Sequence, residues 1–156
     1  MNVYINLSDI KEDKKISTGD NIRYLYPKKN TIMEGEFTKI LFSKSNVTLN
    51  GLYIYLPLSV EKQLNDSHIR YLTNNTNNLS IVHDLKNLES NILNNYMIYT
   101  KRNKNCETVI AKQLNTNSIR VYHDNINKKK NKYVIKISGI WETCEKVGIT
   151  YKILEL

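Results

Sequence analysis

Cysteine is nearly absent from this chain of 156 residues: Cys106 and Cys144 are its two thiols. Without C-x-x-C spacing they neither staple a small domain nor complete a zinc tetrahedron, so a packed core must hold the fold and a reducing intracellular compartment is expected. Glycine is scarce as well. Gly19, Gly35, Gly51, Gly139 and Gly148 stand isolated, which excludes a phosphate-cradling glycine loop. No stretch approaches the ~18 apolar residues of a membrane-spanning helix, and MNVYINLSDIKEDKK lacks the apolar run of a secretory signal. A soluble chain with no membrane partner is expected. His68, His83 and His123 lie far apart, without the i, i+4 spacing of a helical metal pair. Asp20, Glu34 and Glu36 do not complete the carboxylate cluster of a metal-dependent nuclease. The expectation is therefore a non-enzyme with no catalytic residue, no metal and no cofactor.

The length suits one domain, 1–156, large enough to bury a real core. Twenty-two Asn, 19 Lys and 19 Ile against a single Ala point to coding bias, so the asparagines are discounted as chemistry. Charge is more telling. Tyr96 to Lys136 holds ten basic side chains against Glu107 and Asp124, which is the whole net excess of +8. A basic excess confined to one segment points to an anionic partner.

Period-two alternation marks strands. It is clearest at the end, where Tyr133, Ile135, Ile137, Gly139 and Trp141 alternate with Val134, Lys136, Ser138 and Ile140, and Ile149, Tyr151 and Ile153 follow as the second arm of a hairpin. On this alternation Trp141 belongs in the core. Further strands are expected at Val3–Leu7, in NIRYLY ended by Pro27, in GEFTKILFS, and in LNGLYIYLPL. The last puts Leu52, Ile54, Leu56 and Leu58 on one face and Tyr53 and Tyr55 on the other. SVEKQLNDSHIRYL reads as weakly helical and TNNTNNLS as a loop without packing content. A firmer helix starts near Ser80 or Asp84, carried by Ile81, Leu85, Leu88, Ile92 and Tyr96. NYMIYTKR, ETVIAKQL and SIRVYHD read as strands again, the last placing Arg120 and Tyr122 on one face.

Single-strand binding combines cations for phosphates with rings for bases. The candidate nucleic-acid-binding residues are Tyr53, Tyr55, Tyr99, Lys101, Arg102, Lys104, Arg120 and Tyr122, with Lys128, Lys129, Lys130 and Lys132 from the loop DNINKKKNK. The bland alternatives are strand-forming tyrosines and a solvated lysine loop.

KISGIWET followed by Gly148-Ile149-Thr150-Tyr151-Lys152, with a fainter echo in FSKSNVTLNGLYIYLPL, resembles the C-terminal signature of small single-stranded-DNA-binding proteins of large DNA viruses and related mobile elements. The resemblance covers about a third of the chain. It implies an OB-like fold, a role in coating displaced strands during viral replication, and a place in the host nucleus or a viral replication site. The fold expected is mostly β, a partly closed antiparallel barrel of OB type with a helical insert; the alternative is an α+β protein with one antiparallel sheet. The function expected is sequence-nonspecific binding of single-stranded DNA, with RNA and a homo-oligomer left open. The rival is a viral structural or host-interaction protein that binds no nucleic acid.

Overall fold

The computed structural model describes residues 4–12, 21–29, 34–44, 47–123 and 132–156. In chain order its elements begin with β1 (Ile5–Asn6), α1 (Leu7–Glu12), β2 (Ile22–Tyr24), β3 (Lys28–Lys29), β4 (Glu36–Lys44), β5 (Val47–Leu49) and β6 (Leu52–Leu56). Then come β7 (Val60–Asn65), β8 (His68–Tyr71) and the long helix α2 (Thr76–Thr100). The last part holds β9 (Asn105–Glu107), α3 (Val109–Asn115), β10 (Ser118–Arg120), β11 (Tyr122–His123), β12 (Tyr133–Glu142) and β13 (Lys146–Glu155). Strand dominates, as the alternating pattern requires.

The terminal hairpin is the axis of the larger sheet. β12 pairs antiparallel with β13 along its length, and its other edge is shared: Tyr133–Ile137 pair with β6, and Gly139–Glu142 with β4. The register slips by one residue between Ile137 and Gly139, a bulge that bends the strand. β2, β3 and β5 add to β4. β1 runs parallel to β6, and β9 and β11 run parallel to β13, so the sheet is mixed where an antiparallel one was expected. Among the described residues the path β1-β6-β12-β13-β11 does not return on itself. β7, β8 and β10 form a separate antiparallel sheet.

One face of the hairpin is covered by α2 and α3, which lie against β13. Ile54, Ile135 and Ile153 face one another across β6, β12 and β13 and are at most 1 % exposed. Ile81, Leu85, Leu88, Ile92, Leu93 and Tyr96 of α2 join them in one hydrophobic cluster. Each buried aliphatic side chain contributes about 1.5–3 kcal/mol, so Ile135→Ala would cost roughly 2–5 kcal/mol with its cavity.

Local chemistry explains where the sequence expectations fail. Residues 59–72 form the β7–β8 hairpin instead of a helix, because Asn65 Oδ1 accepts the Ser67 N–H at 2.9 Å and closes a turn. The asparagine-rich stretch is not a loop throughout: Asn75 caps α2 by accepting the Asn78 N–H at 3.0 Å. Asn78 itself is fully buried, donates to Ser59 and Leu72 carbonyls and accepts from the Ser59 N–H. NYMIYTKR is no strand. α2 runs through it to Thr100 and ends at Lys101 in the left-handed region, φ 55°. ETVIAKQL also lacks a strand of its own length; Glu107 closes β9 and Val109 opens α3. The buried Glu89 carboxylate stabilises α3, accepting the N–H groups of Ile110 (2.8 Å) and Ala111 (3.0 Å). Burial pushes Glu89 above the usual carboxylate range, against the pull of those two bonds. In the first expected strand Val3 lies outside the described residues, and Leu7 begins α1.

Candidate nucleic-acid interface

Alternation along β6 sends Leu52, Ile54 and Leu56 into the helix-covered core and leaves Tyr53 and Tyr55 half-buried on the opposite, outer face. Tyr53 sits opposite Lys136 of β12, and Lys136 opposite Lys152 of β13. In the next row Tyr55, Val134, Leu154 and Tyr122 follow one another across β6, β12, β13 and β11. Directly opposed residues share a face, so these side chains make one surface. Strand spacing sets its size: Tyr55 and Tyr122 are three strands apart, roughly 14 Å, and Tyr53 and Tyr55 roughly 7 Å apart along β6. Val134 lies between the rings, fully buried yet outside the core cluster.

Cations lie over two of these rings. Lys136 Nζ is 5.4 Å from the centroid of Tyr53, and Lys152 Nζ and the Arg120 guanidinium are 5.0 Å and 4.9 Å from that of Tyr122. All are within the ~6 Å over which a ring quadrupole attracts a cation. Four expected residues, Tyr53, Tyr55, Arg120 and Tyr122, are thus brought together. Lys136 and Lys152 complete the surface and were not among the expected site residues; their signal was their place on the polar side of the terminal hairpin's alternation.

The remaining expected residues are elsewhere. Tyr99, Lys101, Arg102 and Lys104 cluster at the C-terminal end of α2, on the helix-covered side. Tyr99 is 63 % exposed with its ring 4.8 Å from that of Tyr24. Lys104 is turned inward, its ammonium 2.7 Å from Glu142 Oε1 and 2.7 Å from the Thr143 carbonyl oxygen. Arg102 donates to the same Oε1 at 2.6 Å and lies 3.8 Å from Glu36. Glu142 Oε2 accepts from the Tyr96 hydroxyl at 2.9 Å, which in turn accepts from Thr38 at 3.1 Å. Burial pushes Glu142 up, but the bonds from Lys104, Arg102 and Tyr96 together outweigh it and hold the carboxyl below its ordinary value. These ion pairs line a cleft of about 480 Å³ with Lys29, Gly35, Thr143 and Cys144. Part of the basic excess is therefore spent on an internal carboxylate. Lys132 is exposed just before β12, while Lys128, Lys129 and Lys130 lie outside the described residues.

Trp141 departs from the expectation. The bulge reverses the alternation, so Ile140 enters the core, Glu142 reaches α2, and Trp141 stands half-buried on the outer face, outside the core cluster. Among the described residues no cluster of metal-ligating side chains occurs, both cysteines are free and exposed, and no helix is long and apolar enough to cross a membrane. Compared with known proteins, the chain matches no family model, no curated protein and no solved structure.

Proposed function

We propose that this chain binds single-stranded DNA without sequence preference and without catalysis, using the outer face of its larger sheet. The observation that carries the reading is the register that sets Tyr53, Tyr55 and Tyr122 on one face, with Lys136 over the Tyr53 ring and Lys152 and Arg120 over that of Tyr122. Rings stack on any base and cations neutralise phosphates, so such a surface recognises an unpaired strand and not its sequence. In the same reading, bulged β12, shared between β6 and β4, is the bent strand of an OB-like half-barrel, and the role is strand coating in viral replication, as the resemblance implies.

A second reading, docking of another protein, is favoured by exposed Leu25 and Tyr26, which follow β2, and exposed Ile98 and Tyr99 of α2, the Tyr99 ring lying 4.8 Å from that of Tyr24. Fluorescence anisotropy with a labelled oligothymidine and a duplex of equal length separates the two. Tighter binding of the single strand, lost by roughly 1–3 kcal/mol per ring in Tyr53→Ala and Tyr55→Ala, is expected. Equal affinity for both forms, or none below millimolar, would refute the first reading and leave the second.

A further inference from the structure

Beyond the bulge, the outer face carries a second aromatic pair. Trp141 of β12 and Phe37 of β4 sit directly opposite each other. Each ring rests on a glycine of the adjacent strand: a Cβ on Gly148 would come within 2.2 Å of the Trp141 indole, and one on Gly139 within 2.5 Å of the Phe37 ring. Neither ring belongs to the core cluster, and both are half-buried. A ring lying on backbone keeps one π-face against the sheet and turns the other outward, the disposition a stacked base requires.

The charge on this half agrees. Lys39 shares the outward side of β4 with Phe37, opposite Gly139, and Lys136 lies just across the bulge. The carboxylates of these strands fall on the other side: Glu36 opposes Glu142, which is bonded to Tyr96 of α2, and Glu155 opposes the core residue Tyr133. A face that, among the described residues of these strands, carries lysines and rings while the carboxylates turn away complements a polyanion with exposed bases.

We propose that Trp141 and Phe37 form a second stacking subsite for unpaired bases of single-stranded DNA, continuous with the Tyr53, Tyr55 and Tyr122 surface. The inference rests on the reading of the outer face given above. Trp141 lies five positions beyond Lys136 along β12, so the two ring groups stand roughly 15 Å apart and one strand must cross the bulge to reach both. Gly139 and Gly148 are then positioning residues, since a side chain at either would lift a ring off the sheet.

Trp141 is the chain's one tryptophan, so its emission reports this subsite alone. The full chain is titrated with an oligothymidine of ~12 nucleotides, inside the ~4–16 nucleotide range of such sites, following the anisotropy of an end label and, in parallel, indole emission. Quenching of Trp141 with the same midpoint as the anisotropy change is expected. Trp141→Ala should weaken binding about 5- to 150-fold and Trp141→Phe far less. If wild-type protein binds the oligonucleotide while indole emission stays unchanged, the second subsite is refuted and the Tyr53–Tyr122 surface stands. If anisotropy shows no binding, the outer-face reading itself falls. Should Trp141→Ala fail to fold, the wild-type emission decides alone.

Discussion

Glu142→Gln tests the internal ion cluster that ties Arg102 and Lys104 to a buried carboxylate. The wild-type carboxylate, with a side chain 2 % exposed, is held by Arg102, Lys104 and Tyr96. Glutamine keeps the shape and removes the charge. Breaking a buried pair by removing one partner costs roughly 3–5 kcal/mol. The lower end applies, because Arg102 is 46 % exposed and can turn to water, which leaves Lys104, 18 % exposed, as the main orphan. About 3 kcal/mol lowers the melting temperature of a chain this size by roughly 6–12 °C, measurable by circular dichroism near neutral pH. The acid limb supplies an independent check. A carboxyl held below its ordinary value contributes stability that is full above the unfolded-state value of about 4.3 and is lost as pH falls through the lower folded value. Wild type and variant melting curves should therefore converge on acidification. Equal melting temperatures at neutral pH, or a separation that persists unchanged into acid, would refute the reasoning.

Replacing Lys136, Lys152 and Arg120 together by Gln should flatten the slope of log affinity against log salt by about 2 units, at ~0.7 per phosphate contact, in the anisotropy titration; an unaltered slope would place the phosphates elsewhere. Glu89→Ala removes both acceptors from the start of α3 and should cost about 1–3 kcal/mol in thermal unfolding. Glu89→Gln should cost less. Because burial raises the Glu89 pKa, wild-type stability from this group declines as pH rises from the unfolded value toward the folded one, and the Gln variant should lack that decline. A Glu89→Ala variant as stable as wild type would show that α3 needs no cap.

Much of the sheet was legible because its cause is local: Leu52, Ile54 and Leu56 alternate with tyrosines, and Ile135 and Ile137 flank Lys136, and all five are buried as that pattern demands, although Val134, on the other side, is buried too. The face of Tyr53 and Tyr55 follows from the same count. Trp141 was misplaced because a one-residue bulge leaves little trace in composition, although the Ser138-Gly139 pair was its one available sign. The helices were misjudged in extent, since discounting asparagine as coding bias hid the capping role of Asn75 and the buried amide of Asn78. In NYMIYT the β-favouring residues are overridden by Tyr96, which extends the apolar stripe of α2 into the core. Lys104 illustrates a different limit. Charge counting treats every lysine alike, and only the fold reveals which faces a carboxylate.

The bulge at Ser138 also makes the chain asymmetric toward insertions and deletions. Removing that one residue would restore a regular ladder and leave both halves of β12 on their present sides, whereas one further residue paired regularly there would exchange the two sides of the distal half, sending the indole of Trp141 toward Tyr96 and the carboxylate of Glu142 to the surface. No point substitution nearby could do as much. Lengthening at this position is therefore more disruptive than shortening or a change of residue type, and two halves of one strand that look continuous in sequence behave as separately phased units joined by a spacer one residue long.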